Sequence, residues 1–186
     1  MATSVLASTA VWLAAGAAAG VLALAMPDEG TLMGQLPHFK ARRLDQQPVA
    51  LPQELPSDRT LALVVFGRGQ RAEAQSWIHG LGLAHGGAIP WLKVAVLEDP
   101  GDEPRRAAIE RDMRARHASA ADRARLVPLF TDRQAFVKAA RLSGTDHASV
   151  LVLDRDGRVL ARAEGAFDEL KAQALRETLL PQAIGE

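Results

Sequence analysis

The apolar positions of this chain fall into alternating strand-like and helix-like segments. The runs at residues 60–66 ("TLALVVF") and 91–99 ("WLKVAVLED") are almost continuous in apolar and β-branched residues, which is typical of strands covered on both faces. Between them, residues 71–81 have helical spacing, with Ala74 and Trp77 on one face. The pattern therefore predicts a strand, a helix and a second buried strand.

The same alternation continues to the end of the chain. Pro104 marks the start of an amphipathic helix, and Asp156-Gly157 is a strong hairpin dipeptide. The order predicted from residue 60 onward is β-α-β-α-β-α-β-β-α, which is that of an α/β, thioredoxin-like three-layer sandwich with an N-terminal strand extension. The later segments are a helix at 104–117, a strand at 124–132, a helix at 133–142, a hairpin at 148–165 and a helix at 167–180.

The N-terminus has a different pattern. Residues 5–26 ("VLASTAVWLAAGAAAGVLALAM") carry no charge and are about as long as a membrane-crossing helix. Ala23-Leu24-Ala25 fits a signal peptidase site, so residues 1–26 are predicted to be a cleaved signal peptide or a retained membrane anchor. A buried, alanine-rich helix is the alternative. Export predicts a location in the cell envelope, either in the periplasm or anchored in the inner membrane.

Residues 27–59 hold five of the ten prolines and little periodicity, which indicates an extended lead-in. Within it, the alternation of "FKARRLDQQPVALPQEL" predicts a small hairpin around Asp45-Gln46-Gln47. The predicted organisation is thus a signal or anchor at 1–26, a lead-in at 27–59 and a thioredoxin-like domain at 60–186.

Composition excludes several classes of function. Acidic and basic residues balance at 22 each, so no net field attracts nucleic acid. The chain has no cysteine, which excludes disulfides, thiolate metal sites and thiol redox chemistry. The five histidines show no metal-ligand spacing. We therefore expect no catalytic residue, no metal and no cofactor.

The loop at residues 67–71 ("GRGQR") is the candidate binding site. It joins a buried strand to a helix, at the place where thioredoxin-like redox proteins carry their cysteine pair. Arg68 and Arg71, with the helix amides, are predicted to bind acidic groups of a protein partner, and Gln70 to bond to the partner's backbone. A solvated turn is the alternative interpretation of this loop.

A thioredoxin-like arrangement would place the loop 67–71 beside the junction at Asp146-His147. This junction stands where redox thioredoxins have a cis-proline, but "GTDHASVLVLD" contains no proline there. Both halves of a redox site are missing, so Asp146 and His147 join the candidate partner-binding residues.

An enzymatic alternative rests on "VLVLDRDGRVL". Asp154 and Asp156 resemble the nucleophile and acid/base of haloacid-dehalogenase-type phosphatases. That motif opens its domain, whereas only 29 residues follow Gly157 here. A tight hairpin turn is the favoured interpretation, with a phosphatase or unusual peroxidase kept as the alternative.

Five segments together resemble a known family. They are "HFKARRLDQQPVALP", "LALVVFGRGQRAEAQSW", "IERDMRA", "VPLFTDRQAFVKAARL" and "SVLVLDRDGRVLARAEG". They are similar to the thioredoxin-like branch that contains the mitochondrial ATPase assembly factor called ATPase complex subunit 10 and its exported bacterial relatives. The resemblance implies a non-redox factor that helps a membrane subunit of ATP synthase assemble, with membrane association through residues 5–26 if these are retained. A plain structural module remains open beside this interpretation.

Overall fold

A computed structural model of the chain describes residues 33–85 and 88–180. Its centre is a five-stranded sheet with the order β5-β4-β3-β6-β7, in which β4 is parallel to β3 and β5, and β6 is antiparallel to β3 and β7. The strands are β1 (Phe39–Arg42), β2 (Pro48–Leu51), β3 (Arg59–Val65), β4 (Trp91–Leu97), β5 (Leu126–Phe130), β6 (Ser149–Asp154) and β7 (Val159–Glu164). The helices are α1 (Arg71–Gly80), α2 (Glu103–Arg116), α3 (Ala120–Arg125), α4 (Arg133–Ala139) and α5 (Glu169–Leu179), with 3-10 turns at Arg68–Gln70 and Leu83–His85.

The sheet is covered on both faces, which explains the continuous apolar run in β3. Its residues alternate between two clusters, so that Ala62 and Val64 face one layer while Leu61 and Leu63 face the other. Helix α4 and the β1–β2 hairpin cover the first face, and α1, α2 and α5 contribute to the second. The predicted three-layer α/β sandwich is confirmed.

The β1–β2 hairpin forms where the sequence predicts it, around Asp45-Gln46-Gln47. It is a separate two-stranded sheet, with Phe39 paired to Leu51. The segment expected as an extended lead-in is also packed, because Leu36, Leu44 and Leu51 are each at most 1% exposed. Residues 33–58 therefore belong to the same folded unit as the central sheet.

Helix ends follow local capping chemistry. Asp102, Asp132 and Asp168 each accept a hydrogen bond from a backbone N–H in the first turn of the helix that follows. The sequence prediction of a strand from residue 124 is wrong at its start, because Ser119 caps the short helix α3 and β5 begins only at Leu126. Apart from the additional helix α3 and shifts at segment ends, the order of helices and strands predicted from residue 60 onward is the observed one.

None of the helices within residues 33–85 and 88–180 has the length and apolar character needed to span a membrane. The signal or anchor predicted at residues 1–26 lies outside the described residues.

Candidate functional site

The loop 67–71 leads directly from the central strand β3 into helix α1. Gly67 is extended, residues 68–70 form a 3-10 turn, and α1 begins at Arg71. The first turn of α1 has no side-chain cap; the Arg71 N–H bonds to the Arg68 carbonyl of the 3-10 turn, and the acidic residue Glu73 lies at the positive end of the helix dipole. The loop therefore lies at the carboxyl end of β3, where open α/β sheets place their ligand sites.

Gln70 fixes the loop from inside. Its side chain is 6% exposed, its Oε1 accepts a hydrogen bond from the Phe66 N–H at 2.6 Å, and its Nε2 donates to the Thr145 carbonyl at 2.6 Å. Both ends of the amide are thus bonded within the chain. The expectation that Gln70 reaches a partner's backbone is corrected, because Gln70 instead joins the loop 67–71 to the segment before β6.

Glu73 makes a second connection between the same two segments. One carboxylate oxygen accepts from the Ala148 N–H at 2.7 Å, and the other lies 2.8 Å from Nδ1 of His147. The loop 67–71 and the Asp146-His147 junction are therefore neighbours, as the thioredoxin-like arrangement requires. Within the described residues the one cis peptide bond is Leu51–Pro52, so the junction contains no cis-proline.

The Glu73–His147 contact changes the pKa of both groups. Partial burial acts to raise the pKa of Glu73, but the Ala148 N–H and the His147 ring outweigh it and lower that pKa below its ordinary value. The hydrogen bond and charge of Glu73 raise the pKa of His147, and Asp146 and Glu164 act in the same direction. Three carboxylates thus surround His147 and favour its imidazolium form.

The other side of the site is cationic. Arg68 is 80% exposed and contacts Asp112 of α2 at 3.1 Å, an exposed pair of the kind that contributes little to stability. Arg71 is exposed, and no carboxylate of the described residues lies within ion-pair distance of it. Burial, followed by the charge of Arg71, lowers the pKa of Lys93 on β4, while Asp122 opposes the shift. Arg68 and Arg71 are thus the exposed positive charges next to the start of α1.

Trp77 holds α1 onto the sheet beneath this surface. It is fully buried, its Nε1 donates to the Gly165 carbonyl at 2.8 Å, and its ring packs edge-on against Phe167 at 5.2 Å. Gly80 leaves room for that contact, because a Cβ there would lie 2.3 Å from the Phe167 ring. Ala74 and Trp77 are both buried, which agrees with the prediction that they share one face of this helix.

Asp154 belongs to the β6–β7 turn. Its Oδ1 accepts from the backbone N–H groups of Asp156 at 2.9 Å and Arg158 at 2.8 Å, and Gly157 has a φ of +79°. This is the hairpin that the dipeptide predicts. In the parts of the chain that the structure describes, no group of three or more acidic, histidine or cysteine side chains is arranged to hold a metal ion.

Two residues of the site carried no recognisable signal in the sequence. Glu73 is an ordinary acidic residue in the first turn of a helix, and its partner Ala148 is 75 residues away. Lys93 interrupts an apolar strand, but this pattern alone does not indicate a place in the site. Among the predicted residues, the structure brings together Arg68, Gln70, Arg71 and His147 at one end of the sheet.

Comparisons with known proteins support the fold. No protein-family model matches the sequence, and no curated protein matches it. BsSco, a member of the Sco family of cytochrome c oxidase assembly proteins, superposes with a TM-score of 0.51 at 16% identity, over 79% of this chain and 92% of BsSco.

Two further solved structures have the same architecture. A candidate electron transfer protein from Aquifex aeolicus gives a TM-score of 0.56 at 11% identity, over 82% of this chain and 96% of that protein. The exposed lipoprotein thioredoxin Etrx1 of Streptococcus pneumoniae gives 0.50 at 13% identity, over 76% and 99%. At these identities the likeness concerns the fold alone. The chain has a thioredoxin-like fold and, in the full sequence, no cysteine.

Proposed function

We propose that this chain is a cysteine-free, thioredoxin-like binding protein, which uses the loop 67–71 to hold a protein partner rather than to react with it. The observation that carries the proposal is the double connection made by Gln70 and Glu73. These side chains fix the loop against the segment before β6, and they leave the guanidinium groups of Arg68 and Arg71 at the surface. A fixed backbone with exposed arginines suits recognition of carboxylates.

The charges of the site favour an acidic partner segment. Arg71 has no carboxylate of the described chain beside it, and the Arg68–Asp112 pair is exposed enough for an incoming carboxylate to replace Asp112. The proposal is therefore that acidic side chains of the partner bind Arg68 and Arg71.

A role in assembling a membrane complex is the finer form of this proposal. The sequence resembles the ATPase complex subunit 10 family, and one structural neighbour belongs to a family of cytochrome c oxidase assembly proteins. Residues 1–26 would bring the domain to the cell envelope, and one structural neighbour, Etrx1, is described as an exposed lipoprotein. The proposed partner is thus a membrane-complex subunit.

The test is capture of partners by the full-length chain and by the double variant Arg68→Ala, Arg71→Ala. Solubilised membranes are passed over each protein, and bound material is quantified at 50 and 300 mM salt. We expect the double variant to keep its melting temperature, because exposed charges contribute little to stability, and to lose most of the captured partner.

A matched control is Arg105→Ala, Arg114→Ala on α2, which removes the same charge from another surface and is expected to capture normally. Equal capture by the wild type and by the folded Arg68, Arg71 double variant would show that the loop 67–71 is only a solvated turn.

A further inference from the structure

A second surface of the molecule is a groove along the outer edge of the sheet. Its lining differs chemically from the loop 67–71. It has a volume of about 610 Å³, and strand β5 forms its floor. Strand β1 of the hairpin forms one wall and helix α2 forms the other. The residues that line the groove include Phe39, Arg42, Glu103, Arg106, Glu110, Pro128 and Phe130.

The floor of the groove offers backbone hydrogen-bonding groups. Thr131 N–H bonds to Leu97 of β4, whereas Leu126 C=O faces away from β4 and accepts from Leu44 N–H. Because alternate residues of a strand face opposite neighbours, Pro128 C=O and both backbone groups of Phe130 face the outer edge. β5 has no strand partner on that side among the described residues. Pro128 is buried and, as a proline, has no N–H to donate, so an added strand would pair with β5 at Phe130.

The wall formed by α2 carries a carboxylate that has no partner among the described residues. Glu110 is 9% exposed, and no hydrogen bond or ion pair joins it to the residues that the structure describes. The usual partner would be Arg106, one helical turn earlier. Arg106 is instead bound to Asp99, with its Nε at 2.9 Å and its Nη2 at 2.6 Å from that carboxylate.

Neither carboxylate oxygen of Glu110 is closed off from solvent, so its unpaired charge is open to the groove. A cation arriving in the groove would pair with it. Phe39 and Phe130 add apolar surface beside Glu110, which suits the methylene stem of a lysine or arginine side chain.

From these observations we propose that the groove beside β5 binds an extended peptide segment of a protein partner, which pairs with the outer edge of β5 and places a lysine or arginine side chain against Glu110. The Arg42–Glu103 contact, 3.6 Å long, joins the two walls. Both side chains are about half exposed or more, so the contact is weak enough to open as the segment enters. This proposal does not depend on the proposed function of the loop 67–71.

The probe is a labelled peptide, acetyl-Thr-Val-Lys-Val-Thr-amide, with a second peptide carrying norleucine in place of lysine. Binding to the wild-type protein is measured by fluorescence anisotropy. We expect Glu110→Gln to weaken binding of the lysine peptide by about tenfold or more, because a charge-assisted hydrogen bond is lost. The norleucine peptide should bind both proteins equally weakly. Glu177→Gln, an exposed change on α5, is the matched control and should bind as the wild type does.

Two further measurements test the proposal: the melting temperature of the Glu110→Gln variant and amide exchange at Phe130. Glu110→Gln should leave the melting temperature of the free protein unchanged or raised, since an unpaired charge has been removed; a clear loss would assign Glu110 a structural role and overturn the proposal. Amide exchange at Phe130 should slow when the lysine peptide binds, as pairing with the edge of β5 requires. Absence of binding to the wild type, equal binding to Glu110→Gln, or unchanged exchange at Phe130 would each overturn it.

Discussion

The replacement of Gln70 by Met tests whether the loop 67–71 is held by its buried amide. Methionine fills nearly the same volume, so no cavity opens and the apolar packing is kept. Both hydrogen bonds of the Gln70 side chain are lost: the one that its Oε1 accepts from the Phe66 N–H and the one that its Nε2 donates to the Thr145 carbonyl. The change in the free energy of unfolding therefore reports on those bonds.

The size of the effect follows from the burial of the two groups. Phe66 is 2% exposed, so its N–H loses its acceptor without access to water, which costs about 1–3 kcal/mol. Thr145 is partly exposed, and water can reach its carbonyl, so its contribution is smaller. The expected total is about 2–4 kcal/mol, or a fall in melting temperature of ~5–15 °C for a domain of this size.

The measurement is urea denaturation followed by circular dichroism, with amide exchange at Phe66 as a local readout. Gln75→Met is the matched control. It is the same substitution at an exposed position on α1, where the amide contacts His79, and we expect it to change stability by less than about 0.5 kcal/mol. If Gln70→Met were no less stable than Gln75→Met, the idea that this amide holds the two segments together would have to be abandoned.

The remaining predictions concern the junction and the β6–β7 turn. Glu73→Gln is expected to destabilise most between about pH 4.5 and 6.5, measured as melting temperature against pH, with Glu177→Gln as control. The raised pKa of His147 stabilises the folded state below the ordinary histidine value of 6.5, and this stabilisation is lost as the pH rises through the pKa of the folded protein. The lowered pKa of Glu73 stabilises the folded state above the ordinary value of 4.5, and this stabilisation is lost as the pH falls through the pKa of the folded protein. Both contributions are therefore present together between these two values. A pH-independent difference would refute the coupling. Gly157→Val is expected to cost about 2 kcal/mol or more, because its φ is +79° and a Cβ would lie 2.7 Å from Pro52. Gly144→Ala, where a Cβ meets no atom within 4 Å, is the control, and equal stability of the two variants would contradict this prediction.

The fold could be predicted because its signals are local. The apolar run of β3 and the Asp-Gly dipeptide each act within a few residues, and they fix the element and the turn without reference to the rest of the chain. The packing of residues 33–58 could not be predicted in this way. Leu36 and Leu51 are separated by polar and proline-rich sequence, and they become core residues only because the hairpin folds over the sheet.

The position of the candidate site could be predicted from the sequence, but the hydrogen bonds that hold it together could not. Strand, loop and helix place Arg68 and Arg71 at the end of the sheet, and the sequence is enough for that. The roles of Gln70 and Glu73 depend on contacts with residues about 75 positions away, which no periodicity reports. Glu110 is a similar case. It has no ion-pair partner among the described residues, and Arg106, one helical turn away, binds Asp99 instead.

The two proposed surfaces also differ in how folding prepares them. At the loop 67–71, Gln70 and Glu73 satisfy the backbone and fix it before any partner arrives, so binding needs to order only the long side chains of Arg68 and Arg71. At the groove beside β5, the free protein retains an unpaired carboxylate and an open strand edge, and a ligand would satisfy both. The first arrangement gains affinity by limiting what binding must order, whereas the second gains it from groups that have no partner in the described part of the free chain. Substitutions that stabilise the free protein should therefore act differently at the two places: tightening the loop favours its partner, while removing the Glu110 charge disfavours the peptide.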